Sequence, residues 1–170
     1  MSEEKDVIFR EVQRFSLWLR LFFVASMLFG VVIMVYGKAT SGSLTEALSI
    51  VVTGGLALLL LALAAFFFLI KLEVEVRTDG LHFRFFPLQV RYKKLTADEL
   101  LECYVRQYRP ILEYGGWGIR CGFRGGRAYN VSGDRGVQLL LSDDRELLIG
   151  SQKSEELAEA ISSVMQRRGR

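Results

Sequence analysis

The chain has 170 residues, 51% of them hydrophobic, with 22 Lys and Arg against 19 Asp and Glu and a net charge of +3. That excess is too small for the electrostatic footprint of a nucleic-acid binder. Two cysteines, Cys103 and Cys121, and one histidine, His82, cannot furnish a Cys/His zinc site, so neither a metal nor another cofactor is expected.

The charges are unevenly spread: residues 1–70 carry five basic and five acidic side chains, and residues 71–170 carry 17 and 14. The first six residues are polar. In Val7–Arg14, Ile8, Val12 and Phe15 recur at i, i+4 and i+7 with Arg10, Glu11, Gln13 and Arg14 among them. That spacing predicts a short amphipathic helix lying in the headgroup layer, an interfacial segment over residues 1–14. The alternative is a polar extension of the apolar stretch that follows.

That stretch, residues 15–36, is the first predicted membrane span. Arg20 lies near one end, where a long side chain can snorkel to the interface, and Trp18 and Tyr36 lie toward opposite ends, where amphipathic rings prefer to sit. Its flank is as acidic as it is basic and no small-residue cleavage site follows Tyr36, which disfavours a secretory signal. Gly37–Ser43 reads as a short turn.

Residues 47–70 form the second predicted span. They contain 24 residues without a charge, 15 of them Leu, Ile, Val or Phe. About 20 apolar residues suffice to cross a bilayer core of roughly 30 Å, and 15 large apolar side chains favour insertion by on the order of 5 to 9 kcal/mol. A chain this short cannot bury a helix that is apolar on every face. Lys5, Arg10, Arg14 and Arg20 precede or open the first span, Lys71, Arg77 and Arg84 follow the second, and the turn between has only Lys38. The positive-inside rule then predicts a multi-pass protein of the plasma membrane with both termini cytoplasmic.

From Lys71 the helical period gives way to alternation. Leu72, Val74 and Val76 oppose Glu73, Glu75 and Arg77, the pattern of a half-buried strand. Thr78-Asp79-Gly80 predicts a hairpin turn, Leu81, Phe83 and Phe85 continue the pattern with His82 facing solvent, and Pro87 ends the strand. Val90, Tyr92 and their neighbours make the next strand, Glu102–Tyr108 alternate again, and Val137–Leu141 with Glu146–Ile149 read as a final hairpin. Ser154 opens a helix over 154–168 with Glu155 and Glu156 in its first turn and Leu157, Ala160, Ile161, Val164 and Met165 on one face. The expected fold is α+β: a transmembrane helical hairpin, then a domain over 71–170, a small antiparallel barrel or sandwich capped by a C-terminal helix.

Two spans followed by an all-β module with a closing helix resemble the bacterial pleckstrin-homology-like (PH-like) membrane proteins. The run Arg109-Pro110…Glu113-Tyr114-Gly115-Gly116-Trp117-Gly118-Ile119-Arg120, with Ala128-Tyr129-Asn130-Val131 and Leu148-Ile149-Gly150-Ser151-Gln152, is similar to uncharacterised small proteins of that architecture. The resemblance implies a fold, a membrane address and binding of a protein, peptide or lipid. Members of the wider fold that bind phosphoinositides carry clustered Lys and Arg in the first hairpin turn, where this chain has Thr78-Asp79-Gly80. Phosphoinositide headgroup binding is therefore disfavoured.

No catalytic set can be assembled. Gly116-x-Gly118-x-x-x-Gly122 is not the dinucleotide fingerprint, and Asp143-Asp144 belongs to a turn. A cluster of aromatic and Arg residues remains, the usual vocabulary of binding hot spots: Tyr108, Arg109, Tyr114, Trp117, Arg120, Arg127 and Tyr129 are the candidate binding residues. Arg91, Lys93 and Lys94 are candidates for contact with the membrane surface. The expected function is a non-enzymatic, membrane-anchored binding or scaffold module, its partners the lipid bilayer and a protein or peptide, with no nucleic acid. The alternative, an accessory subunit of a larger membrane complex, draws on Gly54-Gly55 and the alanines of the second span, which permit close helix approach.

Overall fold

The computed structural model describes residues 7–40, 46–123 and 125–167. The chain divides into two compact units, residues 15–70 and residues 1–14 together with 71–170. The smaller unit is therefore an insertion in the larger. It contains α1 (Leu17–Thr40) and α2 (Glu46–Leu69), both long and apolar enough to cross a membrane. α1 continues to Thr40, through the first residues of the turn expected at 37–43, and residues 41–45 lie outside the described residues. Phe67 stacks on Phe15 at 4.9 Å and packs against Phe23 at 4.8 Å, and the Arg20 guanidinium lies 5.5 Å from the Phe68 ring centre.

The described residues of the larger unit form two sheets with a long C-terminal helix and a shorter one described below. One sheet has the order β1 (Val7–Arg14), β2 (Lys71–Arg77), β3 (Gly80–Phe86), β4 (Lys93–Leu95), all antiparallel. The other has the order β5 (Leu100–Gln107), β8 (Arg135–Leu141), β9 (Glu146–Gly150), β7 (Arg127–Asn130), β6 (Gly118–Cys121). Among the described residues the sheets do not close into a barrel, and the pairing is not wholly antiparallel: β9 lies between β8 and β7 and runs parallel to β7. Two successive reversals of direction, β7 to β8 and β8 to β9, require that. Leu72, Val74, Val76, Leu81, Phe83 and Phe85 from the first sheet and Val137, Leu139, Leu148 and Ile149 from the second are buried, together with Leu157, Ile161 and Val164 of α4 (Ser154–Arg167). Residue 168 of the expected helix lies outside the described residues. Cys103 sits under that helix, its thiol 3.2 Å from the Ser162 hydroxyl, and both cysteines are free thiols.

Residues 7–14 are a strand, not the amphipathic helix their spacing predicts. Ile8 and Val12 do share a face, but it is the exposed one; Phe9, Glu11 and Gln13 are buried. The polar inner side chains find partners across the module, Gln13 Oε1 excepted. Ser151 Oγ donates to Glu11 at 2.6 Å, the Gln152 amide donates to the same carboxylate at 2.9 Å, and Gln13 Nε2 donates to the Gly150 carbonyl at 2.7 Å. A buried carboxylate or amide is costly only when its hydrogen bonds are missing. Here they tie the first sheet's edge to the end of β9.

The outer face of β2 is also covered, by charge. Glu73 and Glu75 are buried although they oppose the core residues of the strand. Lys71 Nζ and Arg84 Nε each lie 2.5 Å from Glu73, and Tyr92 donates to it at 2.8 Å. Glu75 takes Arg77 at 2.7 Å and Arg10 at 3.3 Å. Burial raises the Glu73 pKa, but the hydrogen bonds from Arg84, Lys71 and Tyr92 outweigh it and hold the carboxyl at about 2 against an ordinary 4.5. A depressed carboxylate stabilises the fold above its unfolded pKa and ceases to do so as pH falls through the folded one. At about 1.4 kcal/mol per pKa unit the gap amounts to on the order of 3 kcal/mol. Module stability should therefore fall as pH drops from 4.5 toward about 2. Denaturant melts across that window should show a shallower decline in Glu73→Gln; identical slopes would remove Glu73 from the account.

Candidate functional site

The structure separates the seven residues expected to form one binding cluster. Tyr108, Tyr114 and Tyr129 are buried. Tyr108 and Tyr114 meet edge to face at 6.0 Å in a cluster with Ala128 and Leu148. Burial pushes the Tyr108 phenol up to about 12 and raises that of Tyr114.

Above them sits a short helix that alternation did not reveal, α3 (Pro110–Tyr114). Pro110 stands at its first position and Gly115, at φ 71°, ends it in the left-handed region. Glu113 accepts from the Arg109 amide at 2.7 Å and pairs with Arg106 of β5. Tyr108, Arg109 and Trp117 line a cleft of about 610 Å³ against this helix. Trp117 donates its indole N–H to the Gly133 carbonyl at 3.1 Å, and Arg120 Nε donates to the Trp117 carbonyl at 3.1 Å. The glycine–tryptophan loop is thus held by its own hydrogen bonds, and Arg120 lies in neither that cleft nor the cavity described next.

Arg127 and Tyr129 belong to a different place, a cavity of about 440 Å³ between the two sheets. Phe83, Leu95, Leu141 and Leu147 give it apolar walls; Lys93, Arg127, Arg145, Asp144 and Glu146 give it charge. Lys93 Nζ donates to the Tyr129 hydroxyl at 2.8 Å and lies 5.4 Å from that ring's centre, while Tyr129 packs edge to face on Phe83 at 4.9 Å. Arg145 is paired with Asp143 at 2.5 Å. Among the described residues Arg127 and Asp144 have no ion-pair partner.

The cavity opens where each sheet ends. β4 is the outermost strand of one sheet and β6 of the other; Lys93 and Leu95 come from β4, Cys121 from β6 and Arg127 from the start of β7. An unpaired strand edge offers a row of backbone donors and acceptors. Of the three residues expected at the membrane surface, Lys93 therefore lines this cavity. Lys94 pairs with Asp79 at 2.6 Å, and Arg91 is exposed in the β3–β4 connection. Asp79 also accepts from His82 at 2.9 Å, on the outer face of β3, where His82 is half-buried. The Lys94 hydrogen bond is the larger cause holding the Asp79 carboxyl at about 2.

Sequence reasoning missed Phe83, Leu95, Leu141 and Leu147 as cavity walls, because alternation marks them only as core. Asp144 and Glu146 were visible as a turn and a strand start, with nothing to show that pairing between distant strands would bring them to Lys93 and Arg127.

A family model described as "Family of unknown function (DUF6141)" matches residues 1–167. No curated protein and no solved structure matches the chain.

Proposed function

We propose that this chain, which belongs to the DUF6141 family of unknown function, is a membrane-anchored, non-enzymatic module that binds an extended polypeptide segment along β4. The spanning role of α1 and α2 is supported by their uncovered surfaces: none of the Arg20–Gly37 stretch and 6% of Val52–Leu69 is buried. An apolar helix without protein cover needs an apolar solvent. The basic residues on the outer flanks of the helical pair favour cytoplasmic termini and a bacterial plasma membrane as the address. Strands closed by a C-terminal helix favour a PH-like domain, from which the parallel β7–β9 pair departs.

The observation that carries the binding reading is the cavity at the two free strand edges. Added strands gain affinity from main-chain hydrogen bonds and specificity from pockets beside the edge. The lining, with Lys93 and Arg127 facing the same space as Asp144 and Glu146, suits a polar chain with charges of both signs better than a purely anionic headgroup.

The test is peptide-library selection against the full chain in lipid nanodiscs. Selected peptides should bind about tenfold more weakly to Lys93→Glu and Arg127→Glu, and should leave Arg109→Ala and Trp117→Ala unaffected. Peptides that ignore Lys93 and Arg127 but need Arg109 or Trp117 would move the site to the α3 cleft. Failure to select any peptide would favour the accessory-subunit reading, for which Gly54 and Gly55 leave open space on exposed α2.

A further inference from the structure

The register of the first sheet aligns Arg14, Lys71 and Phe86 across β1, β2 and β3. This is the sheet end at which the chain departs for α1 and returns from α2. Phe15 and Ser16 alone separate β1 from α1, and Ile70 alone separates α2 from β2. Covalent reach of about 3.5 Å per residue keeps that end within about 10 Å of the helix termini at any angle between the units. The chain then leaves β3 after Phe86 into the connection Pro87–Tyr92, where Leu88 is 59% and Val90 is 64% exposed.

The connection is held in place. The Gln89 amide donates to the Phe85 carbonyl at 2.7 Å, Arg84 donates to the Val90 carbonyl at 3.2 Å, and Arg84 stacks over Tyr92 at 4.4 Å. Leu88 and Val90 are therefore presented, and two exposed cations, Arg14 and Arg91, accompany them with no ion-pair partner among the described residues. Apolar side chains flanked by free cations are the composition that enters a headgroup layer: the apolar groups gain from partial burial, and each cation is attracted to anionic lipid.

We infer that the Pro87–Tyr92 connection is a second lipid contact, with Leu88 and Val90 inserted at the headgroup boundary and Arg14 and Arg91 among anionic headgroups. The inference rests on the reading of α1 and α2 as spans. It retains Arg91 as a surface contact and replaces Lys93 and Lys94, which serve the cavity and the Asp79 pair. Its effect is to hold the sheet end at the lipid surface, leaving the opposite end with the Thr78–Asp79 turn in solution.

The experiment uses the full chain with Cys103→Ser and Cys121→Ser, carrying one environment-sensitive fluorophore at Leu88→Cys, Val90→Cys, Thr78→Cys or Leu58→Cys. The protein is placed in nanodiscs of phosphatidylcholine, with or without phosphatidylserine, doped with lipids brominated at shallow or deep acyl positions. Leu88 and Val90 labels should be quenched by shallow bromines at least about twofold more than the Thr78 label, and more strongly with phosphatidylserine present. Arg14→Gln with Arg91→Gln should remove the phosphatidylserine increment. The Leu58 label, in the middle of α2, should respond to deep bromines. Quenching of Leu58 without quenching of Leu88 and Val90 above Thr78 overturns the lipid contact and leaves the spans standing. Absence of quenching at Leu58 overturns both.

Discussion

Removal of residues 1–14 is expected to unfold the β module, although 56 residues of helical pair separate them from the rest of it. β1 contributes the buried Phe9, worth about 2 kcal/mol. Its Glu11 and Gln13 supply the three hydrogen bonds to Gly150, Ser151 and Gln152, at about 1 kcal/mol each. The ladder to β2 and the Arg10–Glu75 pair are lost as well. Even the first two terms reach about 5 kcal/mol, the lower end of a typical domain's whole stability. The loss also leaves the Ser151 hydroxyl and the Gln152 amide near buried surface without their partner. A chain beginning at Lys71 should therefore show no cooperative melt and should exchange its amides rapidly. Arg14 and Lys71 are antiparallel partners, so a two-residue Asn-Gly turn can join them directly. The chain in which that turn replaces residues 15–70 should fold as a soluble module. A Lys71-onward chain that melts at the same temperature as the joined one would sink the claim that β1 completes the fold.

β1 also marks the limit of what sequence could show. The second span was legible because its signal is local: a charge-free run long enough to cross a bilayer. Leu72, Val74 and Val76 were legible because they alternate within seven residues. β1 has a polar inner face, Glu11 and Gln13, and an apolar outer one, Ile8 and Val12. Hydrophobic periodicity reads that strand backwards, and the partners that make its inner face affordable lie about 140 positions later. Glu73 and Glu75 repeat the lesson: their alternation marked them as exposed, yet cations from β1 and β3 cover them. The residues expected in one cluster lie apart for a related reason. Tyr104 and Tyr108 share a parity, but β5 ends at Gln107, so Tyr104 is half exposed and Tyr108 is buried. Pro110 and Gly115 were the signals for α3, too close together for periodicity to register. Arg127 and Tyr129 do reach one cavity; what assembles it, the β3–β4 and β7–β9 pairings, no local pattern contains.

The second large effect is expected at Gly80. Its φ of +135° is one that side chains rarely adopt, and a Cβ there would stand 2.2 Å from the Leu95 carbonyl oxygen and 3.0 Å from the Thr96 Cα. Neither contact can be relieved by turning a side chain, because both atoms belong to the backbone. Backbone strain of this kind and forced overpacking each cost roughly 1 to 3 kcal/mol, so Gly80→Ala should destabilise the module by about 4 kcal/mol. In a domain of about 100 residues that corresponds to a fall in melting temperature on the order of 20 °C. Gly54→Ala, in a helix with nothing within 4 Å, should leave the melt unchanged or raise it slightly. Function should follow stability here. Withdrawal of β4 from β3 relieves the Gly80 clash, and it carries Leu95 and Lys93 away from the cavity and breaks the Lys94–Asp79 pair. Peptide binding by Gly80→Ala, measured below its melting temperature, should weaken at least as much as in Lys93→Glu. A variant that melts early but binds normally would show that β4 yields without moving the site, and would place the peptide against β6 instead.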